Sequence, residues 1–373
     1  MRKSKILFVI DDDTTFGGLQ IVTKRVAEML ADMKKVSIFV VKNSHIYSMN
    51  DEGTLEIEKH NIQYFFYFFF RLLRKSIKTI FPNSQLNQRV HDFPIFCIVK
   101  NRNIESIVLT QSSMFSLENL KKTFKRLKVL LWIHSSFDAY YNNYYKKRQK
   151  ELIRNIKSAD QVICLTDKDY EDIKKFSFNI VKISNPLTID SGGGKSSRNS
   201  KIISATCRYS IETKGLDYLV EIAAKLPEGW KIAIAGSGNS DEIKNFKNLI
   251  KKYNVEKKII LRGAIFQEEL VEHYLNSSIF MMTSRWEGFG LVMTEAMSFG
   301  LPVIAFENSG VSEVLNNGKY GVIVEQGNIP QFLEKLNELI EDSRVSNHFS
   351  EKSMQRAKDF DMQNIKKLWN NLI

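Results

Sequence analysis

The sequence predicts an α/β protein of two Rossmann-like domains that face each other across a cleft. Short apolar runs, typical of buried parallel strands, alternate with segments of helical periodicity along both halves of the 373-residue chain. A Gly- and Ser-rich stretch at 191–200 separates the two halves and has the composition of a flexible linker. A chain of this length is also too long for one ordinary hydrophobic core.

The first domain, assigned to residues 1–188, begins as a βαβ unit. A strand at 5–10 is followed by the glycine pair Gly17-Gly18, an amphipathic helix at 18–30 and a second strand at 36–41. Residues 42–60 are polar and predict no definite element. Further strands are predicted at 104–110, 128–133 and 161–166, and further helices at 116–127, 139–158 and 168–176.

The second domain, assigned to residues 201–373, repeats the alternation after a linker at 189–200. Its predicted strands are 202–206, 230–235, 258–261, 279–283, 303–306 and 321–324. Its predicted helices are 215–226, 240–253, 267–276 and 291–299, followed by a helical region over 330–373. We therefore expect two separate parallel sheets, each covered by helices.

The net charge of +12 is confined to the first half. Residues 1–188 hold 31 Lys and Arg against 19 Asp and Glu, whereas residues 189–373 hold 23 of each. An aromatic run at 64–70 is followed by Arg71, Arg74, Lys75 and Lys78. This pattern fits either a buried core element or a surface that lies on an anionic membrane. No RNA-binding motif accompanies it, so nucleic acid is not expected as a partner.

Cysteine usage and hydropathy place the chain in the cytoplasm. Cys97, Cys164 and Cys207 are far apart and fit neither a disulfide framework nor a metal-ligand spacing. The first apolar run is cut off by the acidic residues 11–13, so no signal peptide is expected. No segment approaches the roughly 20 apolar residues that span a bilayer. We interpret residues 11–13 as loop and helix-entry residues, not as metal ligands.

The segment from 279 to 306 is the most informative part of the chain. A predicted strand runs into the turn Glu287-Gly288-Phe289-Gly290, which opens a helix at Leu291. The glycines let backbone N–H groups approach a ligand, and the helix N-terminus favours a phosphate. Glu287 and Glu295 flank this anion site and can accept hydrogen bonds from hydroxyls. The pattern predicts a diphosphate with a sugar at each end, which is a nucleotide-sugar.

Two cations follow the strand at 202–206. Arg208 and Lys214 can neutralise a diphosphate leaving group as the glycosidic bond breaks, although solvated surface cations are the alternative. Gly17 and Gly18 allow the backbone of the first domain to approach phosphates. Gly236, Gly238 and Arg262 lie at strand ends near the expected position of the base.

Together these motifs resemble the GT-B glycosyltransferases of family GT4, which are retaining enzymes of glycan synthesis. The resemblance rests on S-R-W-E-G-F-G-L-V-M-T-E-A-M-S-F-G-L-P-V-I-A at 284–305. Other matches follow in order: Gly17-Gly18, His134, Asn185-Pro186, Arg208, Lys214-Gly215, Gly236-Ser237-Gly238 and Arg262-Gly263. The resemblance covers most of the chain and is much stronger over 200–325.

The resemblance implies a GT-B architecture whose last helix, at 361–372, crosses back onto the first domain. It implies that Glu295 binds the ribose hydroxyls, that Glu287 contacts the donor sugar and that His134 lies near that sugar. The expected donor-binding residues are Gly17, Gly18, Gly238, Arg262, Gly288, Phe289, Gly290, Leu291, Val292 and Glu295. Arg285, Trp286 and Phe289 are expected to tune donor choice. No metal or other cofactor is expected.

The expected activity is the transfer of a hexose, with retention, from a nucleotide-sugar such as a UDP-sugar to a lipid-linked saccharide. Surface polysaccharide or O-antigen synthesis at the inner face of the cell membrane is the expected context. Two other functions remain open, a nucleotide-sugar epimerase of the same fold and a catalytically inactive GT-B module that binds membranes. The intact Glu287, Glu295, Arg208 and Lys214 argue against the inactive module. The scarcity of acid–base residues at the sugar argues against the epimerase.

Overall fold

The computed structural model describes residues 3–13, 17–43, 45–50, 54–58, 85–189, 191–197 and 199–373. The aromatic run at 64–70 and the four cations that follow it lie outside these residues. The chain divides into two compact units, one formed by Met1–Pro186 and Met362–Ile373 and the other by Leu187–Asp361. Both are α/β units with mainly parallel sheets, so the predicted fold class is confirmed.

The first unit is built on an eight-stranded sheet with the order β4-β3-β2-β1-β5-β6-β7-β8. β3 pairs antiparallel with both β2 and β4, and the other pairings among the described strands of this sheet are parallel. The strands are β1 Lys5–Ile10, β2 Lys35–Val40, β3 His45–Met49, β4 Leu55–Ile57, β5 Ser106–Thr110, β6 Lys128–Trp132, β7 Gln161–Cys164 and β8 Ile180–Lys182. The order along the chain reverses between β1 and β5.

The ribbon of β3 and β4 occupies the polar residues for which the sequence predicted no element. Only two residues of β3 are buried and none of β4, so the ribbon lacks the apolar alternation on which sequence patterns depend. The helices of this unit are Gly18–Leu30, Gln85–Arg102, Leu117–Thr123, Gln149–Ser158, Asp167–Lys174 and Met362–Leu372.

The single helix predicted at 139–158 is wrong in its first half. The structure has a π-helical turn at Ala139–Tyr144 and a 3₁₀ turn at Lys146–Arg148, and the α-helix begins at Gln149. Aromatic packing explains the irregular start, because Tyr145 contacts the rings of Tyr140 and Phe115 at 5.2 and 4.9 Å. The burial of these rings determines the local winding more strongly than helical periodicity does.

The helix Met362–Leu372 packs on the sheet of the first unit. Trp369 is fully buried, and its ring centroid lies 5.9 Å from that of Phe8 and 4.8 Å from that of Trp132. Lys128 donates a hydrogen bond of 2.6 Å to the carbonyl of Leu372. The core of this unit therefore includes a segment that is distant from it in sequence.

The second unit contains a six-stranded, fully parallel sheet with the order β11-β10-β9-β12-β13-β14. Its strands are β9 Ile202–Thr206, β10 Lys231–Ala235, β11 Ile259–Gly263, β12 Ile279–Met282, β13 Val303–Phe306 and β14 Val322–Val324. Its helices are Ile211–Lys214, Leu216–Ala224, Ser240–Lys252, Glu268–Leu275, Leu291–Ser298, Ser309–Val314, Ile329–Glu341 and Ser343–Ala357. All six strands were predicted, because buried parallel strands read as continuous apolar runs.

The segment at 189–200, predicted to be a flexible linker, is held on the second unit in its described part. Ser196 N donates to Phe299 O at 2.9 Å, and Ser197 N donates to Leu275 O at 2.7 Å. The small side chains of this segment leave its backbone groups accessible. The Gly/Ser composition therefore allows the segment to lie close to the second unit. Among the described residues, no helix has both the length and the apolar character needed to cross a bilayer.

Candidate functional site

The carboxyl ends of β9 and β12 lie side by side where the strand order of the second unit reverses. Ligands of open α/β sheets bind at such a reversal point, outside the carboxyl ends of the strands. Lys214 follows β9, and the turn at 287–290 follows β12 and leads into the helix Leu291–Ser298. The fold thus brings two separately predicted parts of the site to one sheet edge.

Lys214 and Glu287 form an ion pair across this edge. Lys214 Nζ lies 2.6 Å from Glu287 Oε1, and the two side chains are 21% and 14% exposed. The sequence predicted a role for each residue but not their pairing. Because the pair is largely withdrawn from water, its electrostatic interaction is stronger than that of a surface pair. A ligand group that approaches one of these side chains also meets the other.

The turn after β12 is fixed to the segment after β9. Thr283 Oγ1 donates to Lys214 O at 2.9 Å, and Arg285 N donates to Thr213 O at 3.0 Å. Gly215 has φ +59°, and a Cβ there would lie 2.1 Å from the carbonyl oxygen of Thr283. The Lys214-Gly215 pair of the sequence motif therefore reflects a position where only glycine fits.

The side chains of Arg285 and Phe289 contact other residues of this unit. Arg285 donates to both carboxylate oxygens of Asp217, at 2.9 and 2.6 Å, and its guanidinium lies 4.1 Å from the ring centroid of Tyr218. Phe289 is buried and packs edge-on against Phe360 with a centroid distance of 5.5 Å. The side chain of Trp286, by contrast, is exposed.

The same turn is supported from the β13 side by residues that the sequence analysis missed. Asn308 Nδ2 donates to Ser284 O at 3.2 Å. A Cβ on Gly310 would lie 3.0 Å from Glu287 O and 2.9 Å from Phe289 O. The sequence Asn308-Ser309-Gly310 after β13 was an available turn and helix-start signal. With supports on both sides, the turn is a rigid element.

Gly290 begins the helix Leu291–Ser298 from a left-handed conformation, with φ +88°. The first N–H groups of a helix have no partner within it and favour negative charge. Leu291 and Val292, which supply such groups, are only partly buried. The predicted phosphate cradle from Gly288 to Val292 is therefore a continuous backbone segment beside the Lys214–Glu287 pair.

Glu295 lies in the same helix and is 7% exposed. The Thr188 hydroxyl donates a hydrogen bond to its Oε1, and Tyr274 Oη donates to its Oε2 at 2.9 Å. Burial raises the pKa of Glu295 above its usual value, and these two hydrogen bonds partly oppose that rise. No local pattern marks Thr188 or Tyr274, so the sequence analysis missed both.

Arg208 lies after β9 and is 59% exposed. Its Nε and Nη2 atoms donate to Glu242 Oε2 at 3.2 and 3.1 Å. Glu242 also accepts from Asn239 N at 2.8 Å, as part of the capping box of the helix Ser240–Lys252. The spacing Asn239-x-x-Glu242 was a readable signal for this helix start. Gly238 lies in the same turn, and Arg262 is an exposed residue of the edge strand β11.

In the first unit, Gly17 is the N-cap of the helix Gly18–Leu30, which follows β1. A Cβ on Gly17 would lie 2.6 Å from Gln20 Oε1. Asp11, at the end of β1, accepts a hydrogen bond of 3.0 Å from the backbone N–H of Ser112, which follows β5. Asp11, directly after the strand that precedes this helix, therefore lies at the reversal point of the first sheet.

Asp13 is held by the antiparallel ribbon. Its carboxylate accepts hydrogen bonds from Asn43 Nδ2 at 2.9 Å and Tyr47 Oη at 2.6 Å, and lies 2.7 Å from His45 Nε2. Burial acts to raise the pKa of Asp13, but these hydrogen bonds outweigh it and lower that pKa. Across the described part of the chain, no three His, Cys, Asp or Glu residues are grouped as a metal site requires.

His134 follows β6, and its ring centroid lies 4.0 Å from that of Trp132. Burial lowers the pKa of His134 to about 3, so its imidazole is neutral at physiological pH. A neutral imidazole can form a hydrogen bond with a ligand but offers it no positive charge. Asn185 is buried, and its Oδ1 has no hydrogen-bond partner.

Residues 195–356 match the family model of the glycosyl transferases group 1. This range contains the sheet reversal point of the second unit with Lys214, Glu287 and Glu295. Over this range the chain is similar to the group 1 glycosyltransferases. The predicted family and the predicted enzyme class are thereby confirmed.

Curated relatives agree with this match. It is 28% identical to an uncharacterized glycosyltransferase of Haemophilus influenzae, over 74% of this chain and 78% of that protein. It is 29% identical to the poly(ribitol-phosphate) alpha-N-acetylglucosaminyltransferase of Staphylococcus aureus, over 64% of this chain and 48% of that enzyme. The match thus spans about half the length of the Staphylococcus enzyme. A Campylobacter jejuni transferase that acts on a diphospho-undecaprenol-linked saccharide is 26% identical over 59% of this chain and 62% of its own.

Solved structures of glycosyltransferases share the fold. A sucrose-phosphate synthase from Thermosynechococcus elongatus has a TM-score of 0.82 at 17% identity, over 99% of this chain and 98% of its own. The Anabaena protein HepE in complex with UDP-glucose has a TM-score of 0.74 at 17% identity, again over 99% and 98%. The GT-B architecture predicted from the motifs is therefore confirmed.

Proposed function

We propose that this chain is a group 1 glycosyltransferase that moves a hexose from a UDP-sugar to a lipid-linked saccharide, with retention of anomeric configuration. The observation that carries the proposal is the Lys214–Glu287 pair of 2.6 Å, which lies where the second sheet reverses and adjoins the N-terminus of the helix Leu291–Ser298. A cation, a carboxylate and a row of backbone amides together suit a sugar diphosphate.

The proposed roles follow from this geometry. Glu287 accepts hydrogen bonds from the donor-sugar hydroxyls. Lys214 stabilises the negative charge that develops on the leaving diphosphate. The backbone amides of 288–292 hold the diphosphate, and Arg208 adds a second cation. Glu295 accepts hydrogen bonds from the ribose hydroxyls. As the sugar–diphosphate bond breaks, the acceptor oxygen bonds to the same carbon from the same face, and the acceptor proton passes to the leaving phosphate.

Further contacts are proposed for residues whose side chains or backbone adjoin strand ends. Gly238 and Arg262 are assigned to the base, and Gly17 and Gly18 to the phosphates through their backbone. His134, as a neutral imidazole, offers one hydrogen bond to the donor sugar. No metal ion is assigned to the reaction, because Lys214, Arg208 and the helix N-terminus supply the positive potential that a divalent ion supplies in other transferases.

The names of related proteins support the proposed donor and acceptor. HepE has been crystallised with UDP-glucose, the Staphylococcus relative acts on a poly(ribitol-phosphate), and the Campylobacter relative on a diphospho-undecaprenol-linked saccharide. We therefore assign this chain to the synthesis of a surface polysaccharide such as an O-antigen, with the acceptor at the inner face of the cell membrane.

A donor panel tests the proposal. The purified chain is incubated with UDP-glucose, UDP-galactose, UDP-N-acetylglucosamine, GDP-mannose and ADP-glucose, with and without EDTA, and slow hydrolysis is followed by proton NMR. We expect release of UDP and of the free sugar from at least one UDP-sugar, undiminished by EDTA. An altered nucleotide-sugar would indicate an epimerase, and no turnover would favour an inactive module. Rescue of an EDTA-treated sample by Mg²⁺ or Mn²⁺ would overturn the metal-free assignment.

Peripheral membrane binding through the first half of the chain is also proposed. All of the net charge lies in 1–188, where Arg74 and Lys75 follow the aromatic run. Each cation near an anionic surface contributes about 1 kcal/mol. Vesicles rich in phosphatidylglycerol should co-sediment the full chain in a salt-sensitive manner. Arg74→Glu/Lys75→Glu should weaken binding, whereas the matched pair Lys251→Glu/Lys252→Glu should not. Equal loss in both variants would contradict a localised surface.

A further inference from the structure

The Glu295 carboxylate is already satisfied on both oxygens by protein hydroxyls. Tyr274 Oη donates to Oε2 at 2.9 Å and the Thr188 hydroxyl donates to Oε1. Two ribose hydroxyls would make the same kind of bond to the same atoms. A nucleotide that binds Glu295 must therefore either share the carboxylate with these residues or replace one of them.

The two hydroxyls differ in how accessible they are. Tyr274 is fully buried and stacks on Phe299 at a centroid distance of 5.4 Å, so its bond to Glu295 is closed to solvent. Thr188 is partly exposed, and its bond to Glu295 is only partly buried. Glu295 itself is 7% exposed. A ligand from solvent therefore reaches the carboxylate from the Thr188 side.

The backbone beside Thr188 is fixed independently of the carboxylate. Leu187 N donates to Phe360 O at 2.9 Å. The Thr188 hydroxyl can leave Glu295 by rotation about its Cα–Cβ bond, without displacement of this backbone bond. Rotation of one partly exposed side chain is fast and costs little.

We propose that Thr188 is a placeholder for a ribose hydroxyl: its hydroxyl occupies Glu295 Oε1 in the donor-free enzyme and is displaced when the nucleotide binds. Tyr274 stays in place and holds Oε2, so it is a positioning residue for Glu295. This inference rests on the proposed role of Glu295 in donor binding. Thr188 competes with the ribose for Glu295 and thereby weakens nucleotide binding. Tyr274 orients Glu295 and thereby strengthens it.

The test combines three variants with two nucleotides. Binding of UDP and of 2′,3′-dideoxy-UDP, which lacks both ribose hydroxyls, is measured by calorimetry on the full chain. Thr188→Val keeps the side-chain shape but cannot donate. In this variant UDP no longer has to displace a hydrogen bond to the charged Glu295. UDP should therefore bind roughly tenfold more tightly, and the affinity for dideoxy-UDP should be unchanged. Thr188→Ser keeps the hydroxyl and should match the wild type with both nucleotides.

Thermal unfolding without nucleotide provides an independent readout. Thr188→Val should melt at a lower temperature than the wild type, because Glu295 loses a partner, although it binds UDP more tightly. Tyr274→Phe removes the other donor from the same carboxylate and should lower both the melting temperature and the affinity for UDP. Opposite effects of the two variants on affinity are the signature of a placeholder beside a positioning residue.

The outcomes separate this inference from the proposed function. If the wild type binds UDP and dideoxy-UDP equally, or binds neither, Glu295 does not hold ribose hydroxyls and both proposals fail. If the wild type prefers UDP but Thr188→Val binds it equally or more weakly, the placeholder role is overturned and the role of Glu295 stands. Tighter binding of dideoxy-UDP by Thr188→Val would likewise overturn it, because the gain would not depend on the ribose.

Discussion

Lys214→Ala is expected to reduce kcat by about 10²–10³-fold, with a much smaller change in donor affinity. The leaving diphosphate gains negative charge only as the sugar bond breaks, so a cation beside it stabilises the transition state more than the ground state. The ion pair with Glu287 holds Lys214 in position, with 2.6 Å between Nζ and Oε1. Steady-state kinetics with the donor found by the panel measure the effect.

A matched control separates this role from the loss of any lysine. Lys225 pairs with Glu221 at 3.3 Å in the same unit and is 54% exposed. Lys225→Ala should leave kcat unchanged, since exposed pairs contribute little. The double variant Lys214→Ala/Glu287→Gln removes the unpaired carboxylate but supplies no cation, so its kcat should stay low. Recovery of kcat in the double variant would show that Lys214 only neutralises Glu287.

Trp369→Ala is expected to lower the free energy of unfolding of the first unit by about 3–5 kcal/mol, the usual cost of removing a buried tryptophan. Trp369 is fully buried against the rings of Phe8 and Trp132. The adjacent Leu368 is 44% exposed, and Leu368→Ala should change stability by less than about 0.5 kcal/mol. Urea denaturation of both variants makes the comparison, and equal midpoints would contradict the packing described for Trp369.

Local patterns predicted the second unit well. Its strands are apolar runs such as Ile279–Met282 and Val303–Phe306, buried on both faces, and glycines mark the turns between strands and helices. The cation Lys214 and the carboxylates Glu287 and Glu295 could be proposed from the sequence because they sit in such turns or directly after them. Sequence patterns are most informative where burial and turn chemistry coincide.

The missed features depend on contacts between residues that are distant in sequence. Thr188 and Tyr274 are ordinary residues until the fold brings their hydroxyls to Glu295. Nothing near Arg285 in sequence shows that Asp217 engages its guanidinium. The segment at 189–200 has the composition of a linker, and only its hydrogen bonds to Leu275 and Phe299 show that it is part of the second unit. Periodicity cannot reveal such pairings.

The position of Trp369 has a consequence for biosynthesis. Phe8 and Trp132 are made before the whole of 187–361, whereas the tryptophan that covers them is made afterwards. At about 5–20 residues per second, ribosomes need on the order of ten seconds or more to add that stretch. During this interval the nascent first unit presents an uncovered aromatic surface, while the second unit can complete its core first. The first unit is thus the later of the two to complete its core, although most of its residues are made earlier.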